Sequence, residues 1–186
     1  METFLSLCIG IGLSAACGFR VFVPLLVMSI ASLMGWFEPM KGFEWLAIPS
    51  VCIGLAVATL CEIGAYYIPW VDNVLDTIST PAAAVAGTLT TMAVSTGEMS
   101  PFVSWAAAII VGGGAASAVQ LSTVAVRGLS TATTGGVANP LFSTGEWISA
   151  LLVSLLSLLS LLVPVLVVFV GIILMVLLMR WIRHQK

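Results

Sequence analysis

Charge is what this sequence has least of. Its 186 residues carry six Lys or Arg and eight Asp or Glu, 8% of the chain, where a soluble globular domain carries roughly 25%. So few charged groups cannot clothe a water-facing surface, which excludes a soluble globule and leaves lipid as solvent for much of the exterior. Histidine occurs once, at His184, and Cys8, Cys17, Cys52 and Cys61 sit in apolar runs without a CxxC pair. Zinc and soft-metal sites are therefore not expected, and neither is any cofactor. Positive charge clusters only in the tail, at Arg180, Arg183 and Lys186, which excludes nucleic acid as a partner. The opening Met1-Glu2-Thr3 lacks a positive n-region, so no cleaved signal peptide is expected.

Apolar residues, by contrast, make up 60% of the chain, and its mean hydropathy is +1.18. The expected fold is all-α: a polytopic transmembrane helical bundle forming one domain over residues 1–186, with room for about five to seven hydrophobic segments. The first apolar region, Phe4 to Trp36, would be about 50 Å long as one helix. Gly18, Arg20 and Pro24 interrupt it, which favours a break between Ala16 and Pro24. A cleaner span runs from Trp45 or Leu46 to Tyr67, ending at Tyr66, Tyr67 and Trp70 as an interfacial belt. Gly10, Ser14 and Gly18, and likewise Gly114, Ala118 and Ser122, recur every four residues and predict packing faces.

The polar intervals are few. Residues 69–80 read as an interfacial or re-entrant amphipathic turn, with Asp72 and Asp76 on one face and Val71, Val74, Leu75 and Ile78 on the other. Ser79 or Thr80 before Pro81, Ser100 before Pro101, and Asn139 before Pro140 each match a cap followed by proline at the first helical position. The stretch Gly128 to Gly145 carries no charge, four glycines and many hydroxyls. It reads as an ordered segment folding back into the bundle, with Asn139 capping a half-helix that runs towards Glu146 and presents its positive end. The last apolar run, Trp147 to Met179, offers a kink at Pro164.

An arginine near the bilayer centre costs roughly 2.5–3.5 kcal/mol on insertion scales, so Arg20 and Arg127 need an ionic partner or a wet cavity. Glu62, Asp72, Asp76 and Glu146 are the candidate partners; a purely structural ion pair and an anion-binding cavity both remain open. Glu62 lies inside the cleanest span and is the best candidate for a protonatable carboxylate, a snorkelling carboxylate at the interface being the alternative. IGIGLSAACG at 9–18 resembles VGGGAASAVQ at 111–120, and each is followed by an arginine, Arg20 or Arg127. A duplication would give halves 1–79 and 80–186, and an odd number of crossings between copies would invert them around a central site.

These residues carry a resemblance. GFRVFVPLL at 18–26, IPWVDNVLDTIST at 68–80 and GGVANPLFSTGEW at 135–147 are similar to three motifs of a bacterial integral membrane family catalogued as domain of unknown function 4126. The chain departs from that family at Thr80, where an arginine is usual before the proline, and near Gln120, where a basic residue is usual. The resemblance implies a membrane protein and no established activity.

The expected function is therefore a small transporter or channel for a small polar or anionic solute. Its pathway would be lined by Arg20, Glu62, Asp72, Asp76, Arg127, Asn139 and Glu146. The alternatives are a protein or enzyme handling lipid headgroups, and a structural or assembly partner of a membrane complex. The expected partners are the lipid bilayer, the solute and further copies of the chain in a homo-oligomer. The basic tail places the C-terminus in the cytoplasm of a multi-pass inner-membrane protein.

Overall fold

Helices account for nearly all of the regular structure in the computed structural model, which describes residues 2–68 and 71–159. In chain order these are α1 (Glu2–Phe19), α2 (Phe22–Leu33), a 3₁₀ turn (Glu44–Ala47), α3 (Pro49–Ala65), α4 (Val71–Ala93), α5 (Pro101–Ala107), a π turn (Ala108–Gly113), α6 (Gly114–Thr134) and α7 (Asn139–Leu158). The expected break in the first apolar region falls at Arg20 and Val21. Pro164 and the basic tail lie outside the described residues.

Several expectations are corrected. Residues 71–80 form no separate turn, because α4 runs on through Pro81, and the Thr80 hydroxyl donates back to the carbonyl of Asp76 (3.3 Å) rather than capping a new helix. Of the three cap-and-proline pairs, Ser100 acts as one: its hydroxyl accepts from the Val103 N–H at 3.5 Å and Pro101 opens the helix. From there α5, the π turn and α6 continue as one 34-residue helix, about 50 Å long.

The uncharged stretch Gly128 to Gly145 is likewise no re-entrant loop. Its first seven residues finish α6, Gly135 and Gly136 turn the chain with φ of 65° and 85°, and α7 begins at once and continues to Leu158 as a full helix. The left-handed backbone explains the paired glycines, since other residues pay to adopt it.

Small residues let the helices touch. Ser14 donates to the Gly87 carbonyl (2.7 Å) and accepts from the Thr91 hydroxyl (2.6 Å), which also lies 3.2 Å from the Gly10 carbonyl oxygen. The Gly10, Ser14, Gly18 face is thus a packing face, running antiparallel to α4 and then onto Ala116 and Val119 of α6. The second expected face is corrected, for Gly114, Ala118 and Ser122 point outward, and Gly112, Gly113 and Ala116 make the close approach instead. A Cβ on Gly87 would lie 2.6 Å from Ala116 Cβ and 2.7 Å from the Gly112 carbonyl oxygen. Gly87→Ala is expected to cost about 1–3 kcal/mol by forcing α4 off the π turn, read as a lowered thermal midpoint, while Gly54→Ala on α3, where nothing lies within 4 Å, leaves it unchanged.

Among the described residues, two helices, Pro101–Thr134 and Asn139–Leu158, are long and apolar enough to cross a membrane. The distribution of polarity is inside-out. Ile53, Leu60, Val74, Val85, Ile110 and Leu129 are exposed, whereas Arg20, Glu62, Asp72, Gln120, Arg127, Asn139 and Glu146 are buried.

Candidate functional site: a buried two-arginine centre

The break between α1 and α2 is where the site begins. Val21 and Phe22 enter α2 with N–H groups that no upstream turn can satisfy. Glu62 of α3 takes both, Oε1 accepting from Val21 N at 2.8 Å and Oε2 from Phe22 N at 3.0 Å. A carboxylate at a helix N-terminus also meets the positive end of the helix dipole. Glu62 is therefore the cap of a broken helix, supplied from a neighbouring one.

With the backbone turned at this point, Arg20 points inward and is 1% exposed. Its guanidinium donates to Ser143 Oγ (2.6 Å) and pairs with Glu146 Oε2 (2.9 Å), both on α7. From α6, Arg127 brings Nε to 3.2 Å from Glu146 Oε1 and Nη2 to 2.5 Å from Asp76 Oδ1 on α4. One carboxylate thus bridges two arginines from different helices. Tyr66, at the end of α3, lies against both, its ring centroid 3.7 Å from the Arg20 guanidinium carbon and 4.5 Å from that of Arg127. This is cation–π distance. The Tyr66 hydroxyl bonds Ser79 Oγ at 2.7 Å.

Asn139 sits one step away. It is the first residue of α7 rather than its cap, and its Nδ2 donates to Asp72 Oδ2 and to Thr131 Oγ1, each at 3.0 Å. The expected half-helix cap is replaced by a side-chain tie between α4, α6 and α7. Asn139→Asp, which sets a second carboxylate against Asp72, is expected to lower the thermal midpoint more than Asn139→Ala does, because like charges in a buried position repel more than a lost hydrogen bond costs.

The seven residues singled out in the sequence are thus brought to the interior, four of them into one chain of contacts from Arg20 through Glu146 and Arg127 to Asp76, with Asp72, one turn earlier on α4, tied to Asn139. Glu62 stands apart at the α2 terminus. Three participants are not evident from charge: Ser143, Tyr66 and Ser79. A signal for the first does exist, since Asn139, Ser143, Glu146, Ala150, Ser154 and Ser157 are buried at spacings of three and four along α7. Gln120, Thr123, Arg127 and Ser130 repeat that pattern on α6. Two polar faces therefore turn inward on helices whose other faces are apolar.

Satisfaction of these groups is uneven. Arg127 meets its carboxylates at ion-pair distance, yet none of its guanidinium N–H groups is aligned for a hydrogen bond among the described residues. Gln120 Nε2, Ser130 Oγ and Asn139 Oδ1 are buried without a hydrogen-bond partner there as well. A lateral groove of about 250 Å³ between α2 and α7 is lined, among the described residues, by apolar side chains that include Val27, Ile30, Trp36, Leu151 and Leu155.

No curated protein and no solved structure matches the chain. A match to a family of protein domains does extend over residues 7–184, which takes in both arginines, all four interior carboxylates and Asn139. On that match the chain belongs to the family described as domain of unknown function (DUF4126).

Proposed function

We propose that this is a multi-pass inner-membrane protein, its C-terminus in the cytoplasm, that passes a small polar or anionic solute, with Arg20 and Arg127 as the solute-binding pair. The observation that carries this reading is the set of buried groups without a hydrogen-bond partner among the described residues on one face of α6: Gln120 Nε2, Arg127 Nη1 and Ser130 Oγ. An unmet buried donor costs about 1–3 kcal/mol, and a solute bearing acceptor oxygens would relieve several at once. The polar faces of α6 and α7 extend the same lining along the bundle. Exposed apolar side chains around a charged interior suit lipid on the outside and a polar path within.

A second reading is favoured by one specific observation: each guanidinium already has a carboxylate within the chain. An ion-paired interior of that kind serves equally in a structural or assembly partner. Headgroup chemistry is less well supported, because among the described residues the groove between α2 and α7 brings no titratable side chain to its wall.

The experiment is solute entry into proteoliposomes carrying the purified chain, with a panel of small anions and uncharged polar solutes followed by vesicle swelling. The transport reading expects faster entry than in empty vesicles for at least one of them. No acceleration for any member of the panel would favour the structural reading.

A further inference from the structure

We propose that Glu146 is an internal stand-in for the solute: its carboxylate holds the two-arginine site until a proton neutralises it, and a small planar oxyanion of one negative charge then takes its place. This inference rests on the solute-site reading above. Glu146 places one oxygen on each of two guanidiniums, 2.9 Å from Arg20 and 3.2 Å from Arg127, as an external carboxylate would. Guanidiniums favour flat partners with two oxygens in one plane.

The charge count sets the valence. Arg20 pairs with Glu146, and Arg127 with Glu146 and Asp76, while Glu62 holds the α2 N–H groups and Asp72 accepts from Asn139. Neutralising Glu146 removes one negative charge from the two guanidiniums it bridges, and one monovalent anion restores it. The proton resides on a Glu146 oxygen while the anion is bound and leaves when the anion leaves, so one proton and one anion travel together without net charge. Arg127 Nη1, buried and without a hydrogen-bond partner among the described residues, supplies a donor that Glu146 itself does not use.

Other charged or titratable groups face the centre from each packed element: Arg20 from the end of α1, Glu62 and Tyr66 from α3, Asp72 and Asp76 from α4, and Arg127 from α6. The sequence of α2, Phe22 to Leu33, contains none. Asp76 pairs with Arg127. Among the described residues only Glu146 bridges both arginines, which places its carboxylate in the position an entering anion would need.

The test is the thermal midpoint of the purified full chain against nitrate concentration, from about pH 8 to about pH 5, since a ligand that binds the folded state raises the midpoint. Nitrate is planar and keeps its charge throughout this range; formate is a second probe, and chloride and sulfate are controls. The wild type is expected to bind nitrate roughly tenfold more tightly at the lower pH, and formate likewise, with chloride and sulfate weaker. Glu146→Gln, neutral at every pH, is expected to bind nitrate equally at both ends. Absence of nitrate stabilisation in the wild type at any pH would overturn the proposal, as would a Glu146→Gln protein that keeps the wild-type pH dependence. The wild-type titration decides by itself if the variant does not fold. Binding as described with no solute flux in vesicles would sink the transport reading and leave the anion site standing; flux without pH-dependent nitrate binding would do the reverse.

Discussion

Arg20→Leu is expected to destabilise the protein by about 3–5 kcal/mol, the usual cost of removing one partner from a buried ion pair. The substitution leaves Ser143 without its donor and Glu146 with only Arg127, and it removes the guanidinium from the Tyr66 ring. Arg20→Lys is expected to recover only part of the loss. A single ammonium can reach Ser143 or Glu146, but it cannot reproduce the flat fork that engages both while lying against Tyr66. Replacing the whole pair, Arg20→Leu with Glu146→Leu, is expected to be far milder than the sum of the two single changes, because no unpaired charge remains at that contact. Chemical unfolding of the four proteins in one detergent reads all three expectations. Additive losses would mean that the pair does not act as a unit.

The second large effect belongs to Glu62. Two backbone N–H groups at the start of α2 depend on its carboxylate, and bonds to a charged acceptor are worth roughly 1.5–3 kcal/mol each. Glu62→Ala is therefore expected to lose about 3 kcal/mol or more, with Glu62→Gln intermediate because its side chain keeps one acceptor oxygen and turns a donor towards the other N–H. Hydrogen exchange locates the effect: the amides of Val21 and Phe22 lose protection first. Uniform loss of protection along the chain, with no excess at these two amides, would contradict the capping role.

How much of this was legible in the sequence depended on how strongly each residue is constrained. A charge in an apolar run has few places to go, so Arg20, Arg127, Glu62 and Glu146 announced themselves, and Arg20 between Gly18 and Pro24 marked the helix break. Proline was less informative. The cap-and-proline pattern at Thr80-Pro81 is indistinguishable in composition from that at Ser100-Pro101, yet one proline lies inside a continuous helix and the other begins one. Pro81 is tolerated on an exposed face, where the neighbouring Thr80 hydroxyl donates to a helix carbonyl. The stretch from Gly128 misled for a related reason: glycines and hydroxyls predict loops in water, but an apolar surrounding makes backbone hydrogen bonds costly to break and holds such residues in helix. Tyr66 was read as an interfacial marker because tyrosine commonly is one. Its burial at 3% exposure beside two guanidiniums depends on contacts among three helices, which no single stretch of sequence encodes.

The most direct test of the solute-binding role is flux through vesicles at matched protein incorporation, comparing the wild type with the Arg20→Leu, Glu146→Leu pair. The pair exchanges a buried ionic contact for apolar packing, and near-wild-type unfolding would show that the fold survives it. The account predicts rapid entry of a small anion such as formate or nitrate in the wild type and entry at the rate of empty vesicles in the pair. Equal entry in both proteins, or none in either, would contradict it.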